Sequence, residues 1–587
     1  MKRFTGNRRH LRARTLLSVV QGCAVLILSG GGQVMIQSST GPTSTGRSGT
    51  VTASDFAARG VVHPASEDGV APAVAAPSGE SGVDGGDSGV VPAAAVDHTS
   101  IAALHETTST SAALAGVRRP SPVPSSGAHR VPINQLKVMN YYPAHNGWSD
   151  MWVYWDAATL DSDFGRIAAL RANTVRIIVD TQTWSFGWPS PNPVMQQRLA
   201  ATVSLAAKHG LGVQLTLFDV PFADYSNFSS SESWANQVLA PFHGDQRISV
   251  VELRNEIDPN VAVQMSWVKH MLPYLKSIDG GIPVTVSVCG CDNAGDLAQL
   301  KNGIAPVVPD FWDFHFYADA ALAFGTFRDA KAYAAPQPLL VGETGYRTDV
   351  NNTDVAGIPW TQSAQEAYQN QFYRTVANAA RQAGIPPVGP WMLYDIADPK
   401  CAVCTQTFGI FRADGSAKPA VSAVLAMFAG TSESNDLNNS FERGSGGYPD
   451  IWRLYGWGYG TFAQDSSVAH SGSASARISA STSVATGGSP AFYSIPVDGA
   501  QAGRTYTVSA WVRGAAASGS TLVGVYFYDA HSGWLGGATS APLPAGDSGW
   551  TLLTASATAP AGTAFRQLVL ASGNNTGTAW FDDVSFS

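Results

Sequence analysis

Between Val131 and about residue 430 the chain repeats one pattern: a short run rich in β-branched and other apolar residues, then an amphipathic stretch. Runs of the first kind read as buried strands and stretches of the second as helices. Their alternation argues for parallel strands joined by helical crossovers. Strands are expected at 136–141, 174–180 (TVRIIVD), 212–219 (GVQLTLFD), 248–255, 283–288 (PVTVSV), 311–317 (FWDFHFY), 339–343 (LLVGE) and 388–394 (VGPWMLY). Helices are expected at 164–173, 195–209, 234–242, 261–278, 297–300, 327–334, 364–383 and 420–428. Eight strand–helix units in about 300 residues match the count and size of a (β/α)8 TIM barrel. A doubly wound open sheet would place a Gly-rich phosphate turn after the first strand, and none stands there. The expectation is a barrel over 131–430.

The pattern stops on both sides. Residues 37–130 are dominated by Ser, Thr, Gly, Ala, Pro and Val, a composition too poor in bulky apolar groups to offset its ordering entropy, so a disordered linker is expected. Before it, Lys2, Arg3, Arg8, Arg9, Arg12 and Arg14 precede an apolar run from Leu16 to Leu28. Basic then apolar is the order of a secretory signal; an uncleaved N-terminal anchor over 1–36 is the other reading, and the only route by which a membrane would be a partner. From 435 to 587 helical periodicity gives way to short alternating strands, at 505–512, 522–528, 567–571 and 580–586, with Gly, Ser and Pro between them. That suggests a jelly-roll or related all-β sandwich with its own core, set off by Gly430-Thr431-Ser432-Glu433.

The length of 587 residues is itself too great for one core. A net charge of −8 gives no basic footprint, which excludes nucleic acid as a natural partner. Charged residues make up only 14% of the chain, with 59 Gly and 16 Trp, a balance that suits an exported protein. Of the five Cys, Cys23 lies in the signal segment. Cys289, Cys291, Cys401 and Cys404 lack neighbouring His at zinc spacing, so disulfides are expected, Cys401–Cys404 first. The chain is expected to be secreted and monomeric.

Acids at the carboxyl ends of barrel strands are where chemistry is placed in this architecture. The fourth strand ends at Asn255-Glu256 and the seventh at Gly342-Glu343-Thr344-Gly345, facing each other across the mouth. Two opposed carboxyls are the machinery of glycoside hydrolysis, retaining when roughly 5–5.5 Å apart. Each residue alone has a plainer reading. Glu256 suits a solvated strand end, Arg176 an ordinary ion pair, and His315 a satisfied core histidine. It is their coincidence on the right strands that points to a site.

The run Val250-Val251-Glu252-Leu253-Arg254-Asn255-Glu256-Ile257 resembles the signature of glycoside hydrolase family five, in clan A of the (β/α)8 retaining hydrolases. Leu340–Gly345 and Asp313-Phe314-His315-Phe316-Tyr317 strengthen the resemblance, which covers most of 131–430. It implies that Glu256 is the acid/base and Glu343 the nucleophile. Asn255 would hold the sugar 2-hydroxyl, and Arg176 would keep the nucleophile ionised. His315 and Tyr317 match the strand-six pair, and Trp391 the aromatic floor beneath the reacting sugar. Ile257 departs from the family's usual Pro or Val, which leaves a sister family open. The acid/base is expected to have a raised pKa and the nucleophile a lowered one.

Trp148, Trp184, Trp188 and Trp360 in the mouth loops are candidate sugar platforms, and Asp219 and Asp224 candidate hydroxyl binders. In the C-terminal region, Asn439–Gly444 and Trp580–Val584 resemble carbohydrate-binding modules of families four and nine. The resemblance implies a structural calcium held by Glu442 and Asp583. Trp452, Trp457, Tyr459, Tyr526, Tyr528 and Trp534 are candidates for a sugar-binding face, with Trp511 and Trp580 expected in the core. The expected protein is a secreted retaining glycosidase of a β-linked polysaccharide or oligosaccharide, needing no cofactor for catalysis. Endo action is favoured. An exo-acting β-xylosidase-like enzyme and a non-catalytic cell-surface carbohydrate binder are the alternatives.

Overall fold

A computed structural model describes residues 130–219, 222–291, 293–348, 361–400, 405–431, 437–456, 458–484, 488–497 and 500–587. The segments expected as signal or anchor and as linker, up to residue 129, lie outside them, as do Trp360, Cys401, Cys404, Trp457 and the side chain of Cys291. The disulfide expectation therefore falls on cysteines of which three cannot be placed. Among the described residues no helix is long and apolar enough to cross a membrane.

The alternation appears as β1 (Val138–Asn140), α1 (Ala157–Ala169), β2 (Thr174–Ile178), α2 (Pro193–Lys208), β3 (Gly212–Phe218), α3 (Phe228–Leu239), β4 (Ile248–Arg254) and α4 (Ala262–Ile278). It continues as β5 in two pieces (Val284–Thr285 and Ser287–Cys291), α5 (Gly295–Ile304), β6 (Trp312–Phe316), α6 (Ala323–Ala334), β7 (Leu339–Thr344), α7 (Gln362–Ala383) and α8 (Ala420–Ala429). Neighbouring strands pair in parallel from β1 to β7, the first piece of β5 on β4 and the second on β6.

The eighth position is a correction. Residues 388–394 form only isolated bridges, because Pro390 has no N–H to extend a ladder. Backbone bonds nevertheless run through this segment from β7 to β1. Thr344 N donates to Gly389 O at 2.9 Å, and Asn140 N to Pro390 O at 3.3 Å.

Helix starts also differ from expectation. α1 begins seven residues early because Asp156 accepts from Thr159 N at 2.9 Å and the buried row Leu160, Phe164, Ile167 already has helical spacing. Inside the ring, Leu136, Val138, Val250, Phe311 and Leu340 form a separate apolar cluster. Two residues further along the same strands stand Asn140, Glu252, Asp313 and Gly342. Strand period two therefore puts a polar layer directly above the apolar one.

The C-terminal region holds β8 (Arg453–Tyr455), β9 (Thr461–Asp465), β10 (Ser475–Ser479), β11 (Ala491–Tyr493), β12 (Thr505–Ala517), β13 (Ser520–Tyr528), β14 (Trp534–Thr539), β15 (Gly546–Thr558), β16 (Phe565–Gly573) and β17 (Thr578–Phe586). They make two antiparallel sheets, β8-β11-β16-β13-β14 and β9-β10-β17-β12-β15. In β12 the inward residues are Tyr506, Val508, Ala510 and Val512, so Trp511 points outward and is half-buried, as is Trp580; neither is core. Trp452 and Tyr528, expected on a sugar-binding face, are buried instead.

The sandwich packs against the barrel. Phe324 of α6 stacks on Phe565 at 5.2 Å, which stacks on Tyr528 at 5.2 Å. Gln382 of α7 donates to Ala564 O at 2.8 Å, and Arg453 pairs with Asp319 just beyond β6. One apolar cluster runs through both parts. α7 buries Gln365, Gln369, Asn370, Gln371 and Asn378, and Gln369 donates to the carbonyls of Tyr346, Phe408 and Gly409 within the barrel.

Candidate active site

Arg176, the middle residue of β2, organises the mouth. Its guanidinium has five N–H donors, and each is used. Nε donates to Glu252 Oε2 at 2.7 Å, and Nη2 to Glu252 Oε1 at 3.0 Å and Asn255 Oδ1 at 2.7 Å. Nη1 donates to Asn140 Oδ1 at 3.0 Å and Glu343 Oε2 at 2.7 Å. A buried cation survives only with this degree of pairing, and its charge in turn holds Glu252 down to about 2 against the upward push of burial. Thr216 Oγ1 and Gln214 Nε2 supply Glu252's remaining bonds, at 2.6 and 3.1 Å.

Glu343 reaches this layer through a register shift. Asp313 pairs with Leu340, but His315 pairs with Glu343, one residue more on β7 than on β6. The bulge flips strand parity, so Glu343 rather than Thr344 turns inward. Gly342 permits it: a Cβ there would stand 2.3 Å from Asp313 Oδ1, the oxygen that accepts Gly342 N at 2.9 Å. Tyr317 OH donates to Glu343 Oε1 at 2.6 Å, so each carboxylate oxygen has a strong donor.

Glu256 is aimed differently. Its φ of 51° is left-handed, a conformation costly for a residue with a side chain. The turn is held from both sides. Ser287 Oγ accepts Glu256 N at 2.8 Å, and Arg254 donates to the carbonyls of Asn255 and Glu256. His315 Nδ1 then lies 2.9 Å from Glu256 Oε1 and 3.6 Å from Glu343 Oε2, bridging the two acids. One oxygen of each carboxyl and the His315 nitrogen fall within 4.8 Å of one another. Trp391, 1% exposed, sets its ring edge-on to Tyr142 at 5.9 Å.

The electrostatics reverse both pKa expectations, that of the acid/base and that of the nucleophile. Burial pushes Glu343 above the usual carboxylate range against the pull of His315 and Arg176, with the Glu256 charge adding to the rise. Burial also acts on Glu256, but the His315 bond and charge outweigh it and hold this acid low. Burial lowers His315, yet Glu343's charge and the Glu256 bond lift it to about 9. The cause is placement: His315 touches Glu256 and stands further from Glu343. Asp313 is raised to about 6 by burial and by the nearby Glu252 charge.

Glu252–Asp313–His315 and Glu256–His315–Glu343 are the acid and histidine groups that converge closely among the described residues. Arg176 pairs with one acid of each group, at 2.7 Å from both Glu252 and Glu343.

No family model matches the chain, and no curated protein matches it. Among solved structures it is similar to an exo-β-1,4-mannosidase from Opitutaceae bacterium strain TAV5, at 19% identity and a TM-score of 0.40, over 50% of this chain and 59% of that one. The chain thus spans less than two thirds of that protein. It is also similar to a GH5_18 protein from Streptomyces cattleya, at 16% identity and a TM-score of 0.40, over 52% of this chain and 84% of that one. A GH2 β-galacturonidase from Eisenbergiella tayi matches at 13% identity and a TM-score of 0.38, over 51% of this chain and 52% of that one.

All seven expected barrel residues, Glu256, Glu343, Asn255, Arg176, His315, Tyr317 and Trp391, meet at one end of the strands. Sequence reading missed Glu252, Asn140, Gln214, Arg254, Ser287 and Asp313, whose signal is a polar residue at an inward position of an otherwise apolar strand. The loop aromatics divide. Trp148 stacks on Tyr142, Trp184 is 57% exposed, and Trp188 packs against Phe222. Asp219 accepts from Asn255 Nδ2 at 3.1 Å, while Asp224 binds Trp188 and Asn227. In the sandwich, Glu442 accepts from Ser473 Oγ at 2.6 Å and Asp583 from His470 Nδ1 at 2.7 Å. Both acids thus reach the turn 470–474 but are already bonded to its donors.

Proposed function

We propose that the chain is a secreted retaining glycoside hydrolase acting on β-linked glycans, with Glu343 as nucleophile and Glu256 as acid/base. The observation that carries the reading is the pair of carboxyls with oxygens within 4.8 Å, joined through His315 at the strand ends. Carboxyls this close suit the retaining class, at roughly 5–5.5 Å, better than the inverting class at roughly 6.5–9.5 Å. Glu343 would attack the anomeric carbon with Arg176 and Tyr317 fixing its oxygens, while a protonated Glu256 gives its proton to the leaving oxygen. In the free site Glu256 is held low by His315, so a substrate that separates this pair is what raises it for the acid step. Once Glu343 is esterified, its charge no longer lifts His315 or Glu256. Glu256 is then better placed as a carboxylate to take the proton of the attacking water. Asn255, fixed between Arg176 and Asp219, would hold a hydroxyl beside the reacting carbon, with Trp391 beneath the ring.

The test is hydrolysis of a panel of β-glucan, mannan and xylan by the wild type and Glu343→Ala. The wild type is expected to cleave at least one polymer into chains, as endo action requires, and Glu343→Ala to lose about a thousandfold or more. No hydrolysis by the wild type refutes the enzyme, and full activity in Glu343→Ala refutes the nucleophile. The sandwich is read as an accessory carbohydrate-binding module. Its calcium would be held by oxygens of Glu442 and Asp583 after release of their Ser473 and His470 partners. Adding millimolar Ca²⁺ should raise the Tm of the wild type but not of Glu442→Gln; an unchanged wild-type Tm withdraws the ion.

A further inference from the structure

Two buried cations stand at the mouth, and they are held in different ways. Arg176 gives its donors to two carboxylates and two amides. Arg254, the last residue of β4 and 4% exposed, meets no carboxylate at ion-pair distance among the described residues. Its Nη1 donates instead to two successive backbone carbonyls, those of Asn255 and Glu256, and its buried Nε has no hydrogen-bond partner among the described residues. The guanidinium carbon lies 5.6 Å from the centre of the Tyr225 ring, which is itself seated edge-on against Phe222 at 5.0 Å and Trp267 at 5.4 Å. A buried charge without a counter-ion is costly, and carbonyl dipoles and one aromatic face offset only part of it. Such a breach of the usual rule is expected where a site needs it.

The two carbonyls say what the need is, for they belong to the residues read as acting on the sugar. Glu256 has a φ of 51°, so its carboxyl keeps its aim only while the turn beneath it is clamped. From β5, Ser287 Oγ clamps the turn by accepting Glu256 N at 2.8 Å. Arg254 clamps it from the other side, one Nη1 group gripping the peptide units of both residues. A charged donor makes a bond roughly twice as strong as a neutral one, which suits a clamp on a strained turn. A carboxylate partner would compete for the same N–H groups. It would also add a negative charge near Glu256, which already faces Glu343.

We propose that Arg254 is the positioning residue of the acid/base, holding the left-handed turn so that the Glu256 carboxyl meets the leaving-group oxygen. The role rests on the glycosidase reading. In the acid step Glu256 gives its proton to that oxygen as the bond from the anomeric carbon to it breaks and Glu343 bonds to the same carbon. A phenolate stable enough to depart unprotonated has little use for a well-aimed acid, whereas a poor leaving group depends on it. Wild type, Arg254→Gln, Arg254→Lys and Glu256→Gln are therefore compared on the 2,4-dinitrophenyl and phenyl β-glycosides of glucose, mannose and xylose and of their β-1,4-linked disaccharides, with Tm recorded. On the best-cleaved sugar, the fall in kcat/KM caused by Arg254→Gln should be about tenfold or more greater for the phenyl than for the dinitrophenyl glycoside. Glu256→Gln should show the same selectivity in full. Arg254→Lys, which keeps the charge but not the planar fork, should fall between wild type and Arg254→Gln, and it carries the comparison if Arg254→Gln does not fold. An arginine that only stabilises the fold would lower both substrates alike. Equal losses on the two leaving groups, or no loss on either, overturn the role and leave the glycosidase reading standing. A wild type that cleaves neither polymer nor aryl glycoside refutes that reading and the role with it.

Discussion

Glu252 is the residue on which the mouth depends although it touches no expected substrate. It takes two of Arg176's five N–H donors, and Arg176 in turn orients Glu343 and Asn255. Because its folded-state pKa is depressed, to about 2 from 4.5, the stability it contributes is present above pH 4.5 and lost as pH falls toward 2. Glu252→Gln should therefore cost about 3 kcal/mol at neutral pH and flatten the acid limb of stability against pH. Urea unfolding at a series of pH values checks both. An acid limb as steep as the wild type's would mean that other carboxyls carry it. In the sequence Glu252 is visible only as a charge inside an apolar run, and the signature residues beside it draw the eye. Counting inward positions by twos from Val250 finds it, and the same count finds Asn140 from Val138 and Asp313 from Phe311.

At the level of elements, what was legible is what short-range pattern specifies. Strand and helix order from 131 to 430 followed from β-branched runs and helical spacing, and α2 and α4 fell within two residues of expectation. What was not legible is what neighbours decide. The β7 bulge that swings Glu343 inward depends on its register with β6, and nothing in Leu-Leu-Val-Gly-Glu-Thr announces an odd residue. The left-handed turn at Glu256 depends on Arg254 and Ser287 closing over it. The bulge makes its own prediction at Gly342, where an added methyl would stand 2.3 Å from Asp313 Oδ1. Gly342→Ala should cost about 1–3 kcal/mol through overpacking and lower kcat more than a distant substitution of equal stability cost. Thermal unfolding alongside steady-state kinetics measures the two effects, and an unshifted Tm would show that the bulge can relax.

Across the whole molecule, the linker composition between barrel and sandwich suggested two bodies, whereas their packing makes the sandwich a wall of the barrel. Arg453 joins Asp319, two residues past Tyr317, and donates to Tyr368 OH at 3.1 Å, while Tyr368 packs on Tyr346 beyond Glu343 at 4.7 Å. Composition cannot reveal this, because it depends on which face of the sheet β8-β11-β16-β13-β14 is turned toward the barrel. Arg453→Ala should lower Tm and leave a single calorimetric transition for the folded parts. Two separated transitions in the wild type would show instead that barrel and sandwich unfold independently.

The contacts that α6 and α7 make with the sandwich carry a consequence in time. A ribosome finishes α7 well before it makes the strands that touch it, and at 5–20 residues per second the rest takes on the order of 10–40 s. Throughout that interval Gln382 lacks the Ala564 carbonyl it will bond, and Phe324 lacks the ring it will stack on. The nascent barrel therefore waits with one flank unfinished, and folding helpers that shield that flank would act on α6 and α7 rather than at the mouth.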